Sequence, residues 1–386
     1  MRLSQEEWSR RMFILSLTGV GSALIVNPVL SWANSVRPES AEEEIDPRVA
    51  KIVAKTMAVD THNHVDVRIY PDQPLPTYDL LNDFKKSGLA AIVMTFAVDY
   101  QKLQNEGEGY HRFVAGLDAA DNLLKGYGLE RSMHLSDLKS AFKKNKPAVI
   151  QSVEGGHFLE GKIERLTMAY DRGLRVLGLL HDNDASVPLG DIYTKPPQWG
   201  GLTAFGAEVI KKCNQLGILV DLTHCSNKTI DDALKIATKP VIITHTGLDT
   251  RLGQVMQMGQ MMKPRLISKE QAKIVAEAGG VIGAWRHLTQ TPLEYAQNIR
   301  ALVDSIGVEH VCIGTDTKIT RAVKPNDTGT PRQGELTNGI WQGQKEGFFY
   351  AVVDALLKTG FSESEIMRIG SGNFCRVFDA ATKKSK

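Results

Sequence analysis

A chain of 386 residues, 42% hydrophobic and 23% charged, has the make-up of a soluble globular protein and the length for one large barrel or two ordinary domains. A net charge of +2, with scattered lysines and no basic stripe, excludes a protein built around nucleic acid or an acidic membrane surface. The four cysteines, Cys213, Cys225, Cys312 and Cys375, form no Cys-x-x-Cys pair. That argues against a thiolate zinc site, and they read as small buried hydrophobes.

Taken in chain order, residues 1–33 have the layout of an export signal. Ser9-Arg10-Arg11-Met12-Phe13-Ile14 is a twin-arginine pattern, followed by the apolar stretch 15–30 and by Ser31-Trp32-Ala33, a small-x-small cleavage site. Gly19, Gly21, Asn27 and Pro28 break the apolar stretch, which favours a cleaved signal over a membrane anchor. The expected destination is the periplasm, with no stable membrane span after cleavage. Residues 34–50 read as a polar tail and 51–386 as one domain.

Eight short apolar runs then alternate with amphipathic stretches. The runs are 57–62, 90–96, 148–153, 175–180, 218–222, 241–244, 280–284 and 311–314. They are dense in Val, Ile and Leu without alternation, as parallel strands covered on both faces are. Helices are expected at 78–87, 111–127, 162–172, 204–216, 227–236, 269–278, 292–306 and 344–358. Ser268-Lys269-Glu270-Gln271 resembles a capping box at the start of one of them. This alternation predicts an α/β fold, a (β/α)8 TIM-like barrel. A doubly wound open sheet shares the local pattern, but no Gly-x-Gly-x-x-Gly loop follows the first strand. The long connections 99–109 and 182–201 follow strand ends, where barrels keep their substrate loops. The last stretch, 361–381, reads as two short helices joined at 370–373 that cap the barrel.

The ionisable residues fall at strand ends. The first strand runs into Asp60-Thr61-His62-Asn63-His64-Val65-Asp66, where residues two apart share a side, so His62 and His64 can face one ion with Asp60 and Asp66 on the same face. The third strand ends in Glu154, the fourth in His181, the fifth in His224, the sixth in His245 and the eighth in Asp316. In a barrel these ends converge on one face. Five of the ten histidines at four strand ends point to a metal centre. Imidazoles with a carboxylate suit zinc, and more than four ligands suggest two ions. A middle-strand glutamate can bridge them, and paired ions roughly 3.5–4 Å apart would hold a hydroxide and polarise a carbonyl. Asp316 would then take a proton and return it to the leaving amine, and His181 would face the developing oxyanion. The reaction class is metal-assisted hydrolysis of an amide.

In this order the motifs resemble the renal (membrane) dipeptidase family, a branch of the amidohydrolase-type barrels. Val59-Asp60-Thr61-His62-Asn63-His64 looks like its first-strand motif and Val153-Glu154-Gly155-Gly156-His157 its bridging-glutamate motif. Leu180-His181-Asp182-Asn183 resembles its substrate-histidine segment. Asp221-Leu222-Thr223-His224 and Ile243-Thr244-His245-Thr246 resemble its later metal-histidine strands. Lys263-Pro264-Arg265-Leu266-Ile267-Ser268, Gly314-Thr315-Asp316 and 370–377 resemble its arginine segment, its aspartate strand and its C-terminal signature. The resemblance implies a two-zinc dipeptidase. Glu154 would bridge, His62 and His64 would hold one zinc, His224 and His245 the other, and Arg265 would grip a substrate carboxylate. Dimers are common in the family, so a homodimer is among its implications.

Two departures stand out. The family usually has His-x-Asp on the first strand, whereas this chain has His62-Asn63-His64; a register using His64 and Asp66 would restore it but aligns less well. The family also continues its aspartate motif with Phe-Asp-Gly, where this chain has Thr317-Lys318-Ile319. The leading reading is an exported zinc dipeptidase tolerating a D-residue at the C-terminal position. The alternatives are an enzyme for another amide, lactam or ester, and a non-catalytic binding protein on the same barrel.

Overall fold

Asp46 and Pro47 start the first helix described, α1 (Pro47–Lys55). The Asp46 carboxylate caps it by accepting from Arg48 N at 2.7 Å, and Pro47 stands where its missing N–H costs nothing. The computed structural model describes residues 45–67, 78–320 and 335–383. The expected signal, and the expected tail up to residue 44, lie outside them. The boundary expected at residue 50 falls inside α1, whose Val49, Ile52 and Val53 are buried.

The parallel strands are β1 (Val59–His64), β2 (Ala91–Thr95), β3 (Ala148–Val153), β4 (Leu174–Gly178), β5 (Leu219–Asp221), β6 (Ile242–Thr246), β7 (Val281–Ala284), β8 (Val311–Ile313) and β9 (Thr317–Lys318). Each of the first seven pairs with the next. Closure comes from the single stretch 311–318. Its first half pairs with β7, and its second half, β9, pairs Thr317 and Lys318 with Asn63 and His64 of β1. The eighth strand is thus broken at Gly314–Asp316 and borders both neighbours, so the sheet forms a ring with no free edge. Close approach explains Gly314: a methyl group there would lie 1.7 Å from the Thr244 carbonyl oxygen.

The helices after α1 are α2 (Leu80–Ser87), α3 (Glu108–Gly126), α4 (Leu135–Lys143), α5 (Arg165–Asp171), α6 (Ala204–Leu216), α7 (Asn227–Ile236), α8 (Met256–Met262), α9 (Lys269–Glu277), α10 (Pro292–Ile306), α11 (Phe348–Lys358), α12 (Glu363–Met367) and α13 (Asn373–Thr382). Eight match expected stretches within a few residues. Three others, α1, α4 and α8, were not expected. They stand outside the strand–helix alternation, and α4 and α8 each bury one residue, Leu138 and Gly259, so neither shows a wide apolar stripe. Among the described residues no helix is long and apolar enough to cross a membrane.

The apolar residues sort into two sets. The larger lies between the strands and the helices around them. The smaller contains at least one residue from each of β1 to β8, among them Val59, Val93, Ile150, Leu219 and Cys312, packed with Phe374, Val377 and Phe378 of α13. The C-terminal helix therefore plugs the N-terminal mouth of the barrel. It is the expected cap, and it leaves the opposite mouth for the polar residues. All four cysteines are free and buried.

Candidate active site

His62 and His64 lie within β1 rather than beyond its end, because the strand runs two residues further than its apolar pattern. Their rings are 5.0 Å apart. Seven of the eight expected site residues meet at this mouth. They fall into three overlapping sets, His62–His64–Asp316, His62–Glu154–His245 and Glu154–His181–His224. Within each set the candidate ligand atoms lie within 4.8 Å of one another. His181, expected as a substrate group rather than a ligand, thus joins Glu154 and His224, while His245 sides with His62. The eighth residue, Arg265, joins through Tyr193: its Nη1 donates to the Tyr193 hydroxyl at 2.9 Å, which lies 2.8 Å from His224 Nδ1.

Two of these residues have backbones in the left-handed region, His224 at φ 67° and Asp316 at φ 54°. Such a non-glycine conformation costs about 1 kcal/mol or more. Neighbouring backbone holds both. Asp316 N donates to His62 O at 3.0 Å, and His224 O accepts from Tyr193 N at 3.0 Å.

The proton inventory shows which way each imidazole faces. The Thr244 hydroxyl has one proton, and it goes to Asp221 Oδ2 at 2.6 Å. The same oxygen therefore accepts from His62 Nδ1 at 3.1 Å and His245 Nδ1 at 3.2 Å. Both rings then carry a bare Nε2 lone pair turned into the site. Burial holds both below the usual histidine range, which keeps them neutral. His62 Nε2 is buried with no hydrogen-bond partner. His64 Nδ1 faces the Thr95 carbonyl at 3.1 Å and must donate to it, so its Nε2 points at Asp316 Oδ1, 3.2 Å away. His181 Nδ1 donates to Asp99 Oδ1 at 2.6 Å, and its Nε2 lies 3.3 Å from Glu154 Oε2.

Both central carboxylates are anions. Burial pushes Glu154 up, but His181 and the hydrogen bond with His224 hold it well below the usual carboxylate range. Asp316 is held there too, against burial, with His64 hydrogen-bonded to it. The bare Nε2 atoms of His62 and His245 facing these anions call for positive charge between the groups, whereas the carboxylates hold His64, His181 and His224 above the usual histidine range despite burial, so a proton also suits those contacts. A metal accepted by Glu154, Asp316 and the imidazoles satisfies all of them, including His62 Nε2, and the donor set fits zinc-type coordination.

Several further groups were not singled out from sequence. Asp99, just past β2, orients His181 and also accepts from Asn183 N at 3.2 Å. Trp285 and His287, just past β7, stack on each other, and Trp285 Nε1 donates to Asp316 Oδ2 at 3.2 Å. Tyr100 reaches from the 99–107 loop to within 3.4 Å of His64 Nδ1. Their positions at strand ends were a usable signal; nothing in their spacing set them apart from ordinary loop residues. His157 Nε2 lies 2.8 Å from Asn183 O. Asp60 and Asp66 do not share the site. Asp60 accepts from Thr315 and Asn63 one layer below, and Asp66 pairs with Lys318 Nζ at 2.9 Å.

The family model described as membrane dipeptidase, peptidase family M19, matches residues 47–329. The chain belongs to the membrane dipeptidase family. It is a hydrolase of the dipeptidase type, and membership of a metallopeptidase family implies a metal at this cluster. Solved structures of the same fold include an amidohydrolase from Pseudomonas aeruginosa, 20% identical with a TM-score of 0.68, the match covering 86% of this chain and 99% of that one. The probable dipeptidase PvdM from Pseudomonas aeruginosa is 15% identical with a TM-score of 0.70, covering 88% and 98%. A metallo peptidase from Rhodobacter sphaeroides, liganded with a phosphinate mimic of the dipeptide L-Ala-D-Ala, is 16% identical with a TM-score of 0.63, covering 84% and 99%. At these identities the likeness is one of fold, and the membrane dipeptidase assignment rests on the family match.

Proposed function

We propose that the protein is a two-zinc dipeptidase that cleaves the amide of a dipeptide and tolerates a D-residue at its C-terminal position. The observation that carries it is the buried, unpartnered His62 Nε2 facing Glu154 Oε1 at 3.5 Å, inside a ring of imidazoles turned toward two carboxylates. His62, His64, Glu154, His224 and His245 would hold the ions, with Glu154 shared. When bound, the ions polarise the scissile carbonyl and lower the pKa of the attacking water.

The remaining roles belong to side chains. Asp316 Oδ1, near His62 and His64, takes the proton of the water and returns it to the leaving amine. Trp285 holds its other oxygen in place. His181, fixed by Asp99, offers Nε2 to the substrate oxygen as charge develops. Arg265 faces the substrate's C-terminal end across an open cleft that it lines with Tyr193, His224 and His245. Support for a D-residue comes from the dipeptide mimic held by the Rhodobacter sphaeroides protein. The twin-arginine pattern at Arg10-Arg11 supports export to the periplasm, and a homodimer remains part of the proposal through the family resemblance alone.

The test is a panel of L,L- and L,D-dipeptides against simple lactams and esters, with zinc-loaded protein. Dipeptide turnover lost to chelator is expected, with Asp316→Asn slower by about 10²–10⁴-fold. Turnover of a lactam or ester without any dipeptide turnover would reject the substrate class.

A further inference from the structure

Three strands, β1, β5 and β6, meet on one hydroxyl beneath the site. Thr244 Oγ1 donates to Asp221 Oδ2 at 2.6 Å and accepts from His62 Nδ1 at 3.1 Å and His245 Nδ1 at 3.2 Å. One proton given and two lone pairs filled exhaust a hydroxyl. Thr223 Oγ1, 3.2 Å away, adds no bond to it, because its own proton goes to Asp221 Oδ1 at 2.5 Å. Asp221 is fixed in turn: Oδ1 also accepts from Thr223 N at 2.9 Å and Thr244 N at 3.1 Å. The Thr244 backbone is tied to β1, its oxygen accepting from Thr61 Oγ1 at 3.0 Å. Thr244 and Asp221 are both buried, so the hydroxyl has no water to turn to.

The two imidazoles on this hydroxyl serve different ions in the proposed site, His62 beside His64 and His245 beside His224. Their ring centroids are 4.2 Å apart, closer than the 5.0 Å of His62 and His64 or the 5.3 Å of His224 and His245. The other two outer nitrogens have separate partners. His64 Nδ1 faces the Thr95 carbonyl. His224 Nδ1 faces the Tyr193 hydroxyl at 2.8 Å and Asp182 Oδ1 at 3.5 Å, a carboxylate that also accepts from Arg265 Nη1 and Nη2 at 2.9 and 3.1 Å. The bond made by the outer nitrogen fixes the tautomer and the aim of a metal-binding imidazole. We propose that Thr244 is a positioning residue common to both zinc positions, aiming one imidazole at each ion, while Asp221 holds the hydroxyl proton away from the rings. The inference rests on the two-zinc reading. An asparagine at 221 would keep its oxygen at the Oδ1 place, which takes three donors, and turn its NH2 to Thr244 Oγ1. The hydroxyl proton would then point to one imidazole and force that ring's proton onto Nε2, in the path of the ion.

The experiment is chelator competition on the zinc-loaded protein, reading the number of ions per chain and the affinity of each, with folding followed by urea unfolding. Wild type, Thr244→Val, Thr244→Ser, Asp221→Asn and Tyr193→Phe are compared. Thr244→Val is expected to weaken both ions by about 10–100-fold, while Thr244→Ser, which keeps the hydroxyl, stays within about threefold of wild type. Asp221→Asn weakens at least one ion by a like factor, and Tyr193→Phe, whose hydroxyl meets only His224 among the proposed ligands, weakens one ion alone. Thr244→Val weakening one ion or neither, or Thr244→Ser weakening both as far as Thr244→Val does, would overturn the inference and leave the two-zinc reading standing. If Thr244→Val does not fold, Asp221→Asn decides, and retention of both ions at wild-type affinity would overturn the inference. Fewer than two ions on the wild type would overturn the two-zinc reading, and the inference with it.

Discussion

His64 turns Nδ1 to the Thr95 carbonyl and Nε2 to Asp316, so an imidazole faces the proposed base where the family usually has an anion. Replacing it should change how tightly an ion is held. His64→Asp adds a negative charge to the cluster, and the expected outcome is slower zinc loss to a chelator, with affinity raised at least about tenfold; unchanged or weaker retention would show that the imidazole is the better ligand here. The histidines were legible in the sequence because each ends a strand and one barrel mouth gathers strand ends. Asp99, Asp182, Trp285 and His287 were not, since an Asp or Trp after a strand has many ordinary uses and their value lies in distances to residues 29–83 positions away. Lys318, beside the aspartate motif, is held by Asp66 and Glu335.

At the scale of elements, the long connection between β4 and α6 is organised by Asp191. Its Oδ1 accepts from Gln198 N at 2.7 Å and Trp199 N at 2.9 Å, and its Oδ2 from Gly201 N at 2.7 Å. Its backbone oxygen meets Ser226 N at 2.8 Å, where α7 starts. Burial pushes this carboxyl up, but the three N–H groups pull it below its usual value. A depressed carboxylate contributes stability that is present above the unfolded pKa of about 3.9 and lost as pH falls through the lower folded value. Asp191→Ala should therefore cost about 2 kcal/mol at pH 7, and the gap to wild type should narrow below pH 4. Urea unfolding at both pH values reads this, and equal stability at pH 7 would contradict it. The prolines and glycines of 182–201 marked the connection in the sequence. The carboxylate that fixes its path was not legible, because it acts through backbone groups that any sequence would offer.

For the whole molecule, the site depends on a barrel closed by one broken strand and plugged from below. Phe378 is fully buried at that plug. Phe378→Ala should destabilise by about 3–5 kcal/mol, read as a lower denaturant midpoint, while zinc content of the folded protein stays the same; loss of zinc without loss of stability would contradict the separation of plug and site. Eight dense apolar runs were enough to predict the barrel. Closure through 311–318 was not legible, since β9 is two polar residues whose strand character comes only from pairing with Asn63 and His64.

The measurement that bears most directly on the central claim is zinc per chain on protein purified without added metal, paired with hydrolysis of an L,D-dipeptide before and after chelation. The account predicts two zinc ions per chain and activity that disappears with the chelator and returns with zinc. One ion or none, with no hydrolysis after zinc is restored, would contradict it and favour a binding protein built on the same barrel.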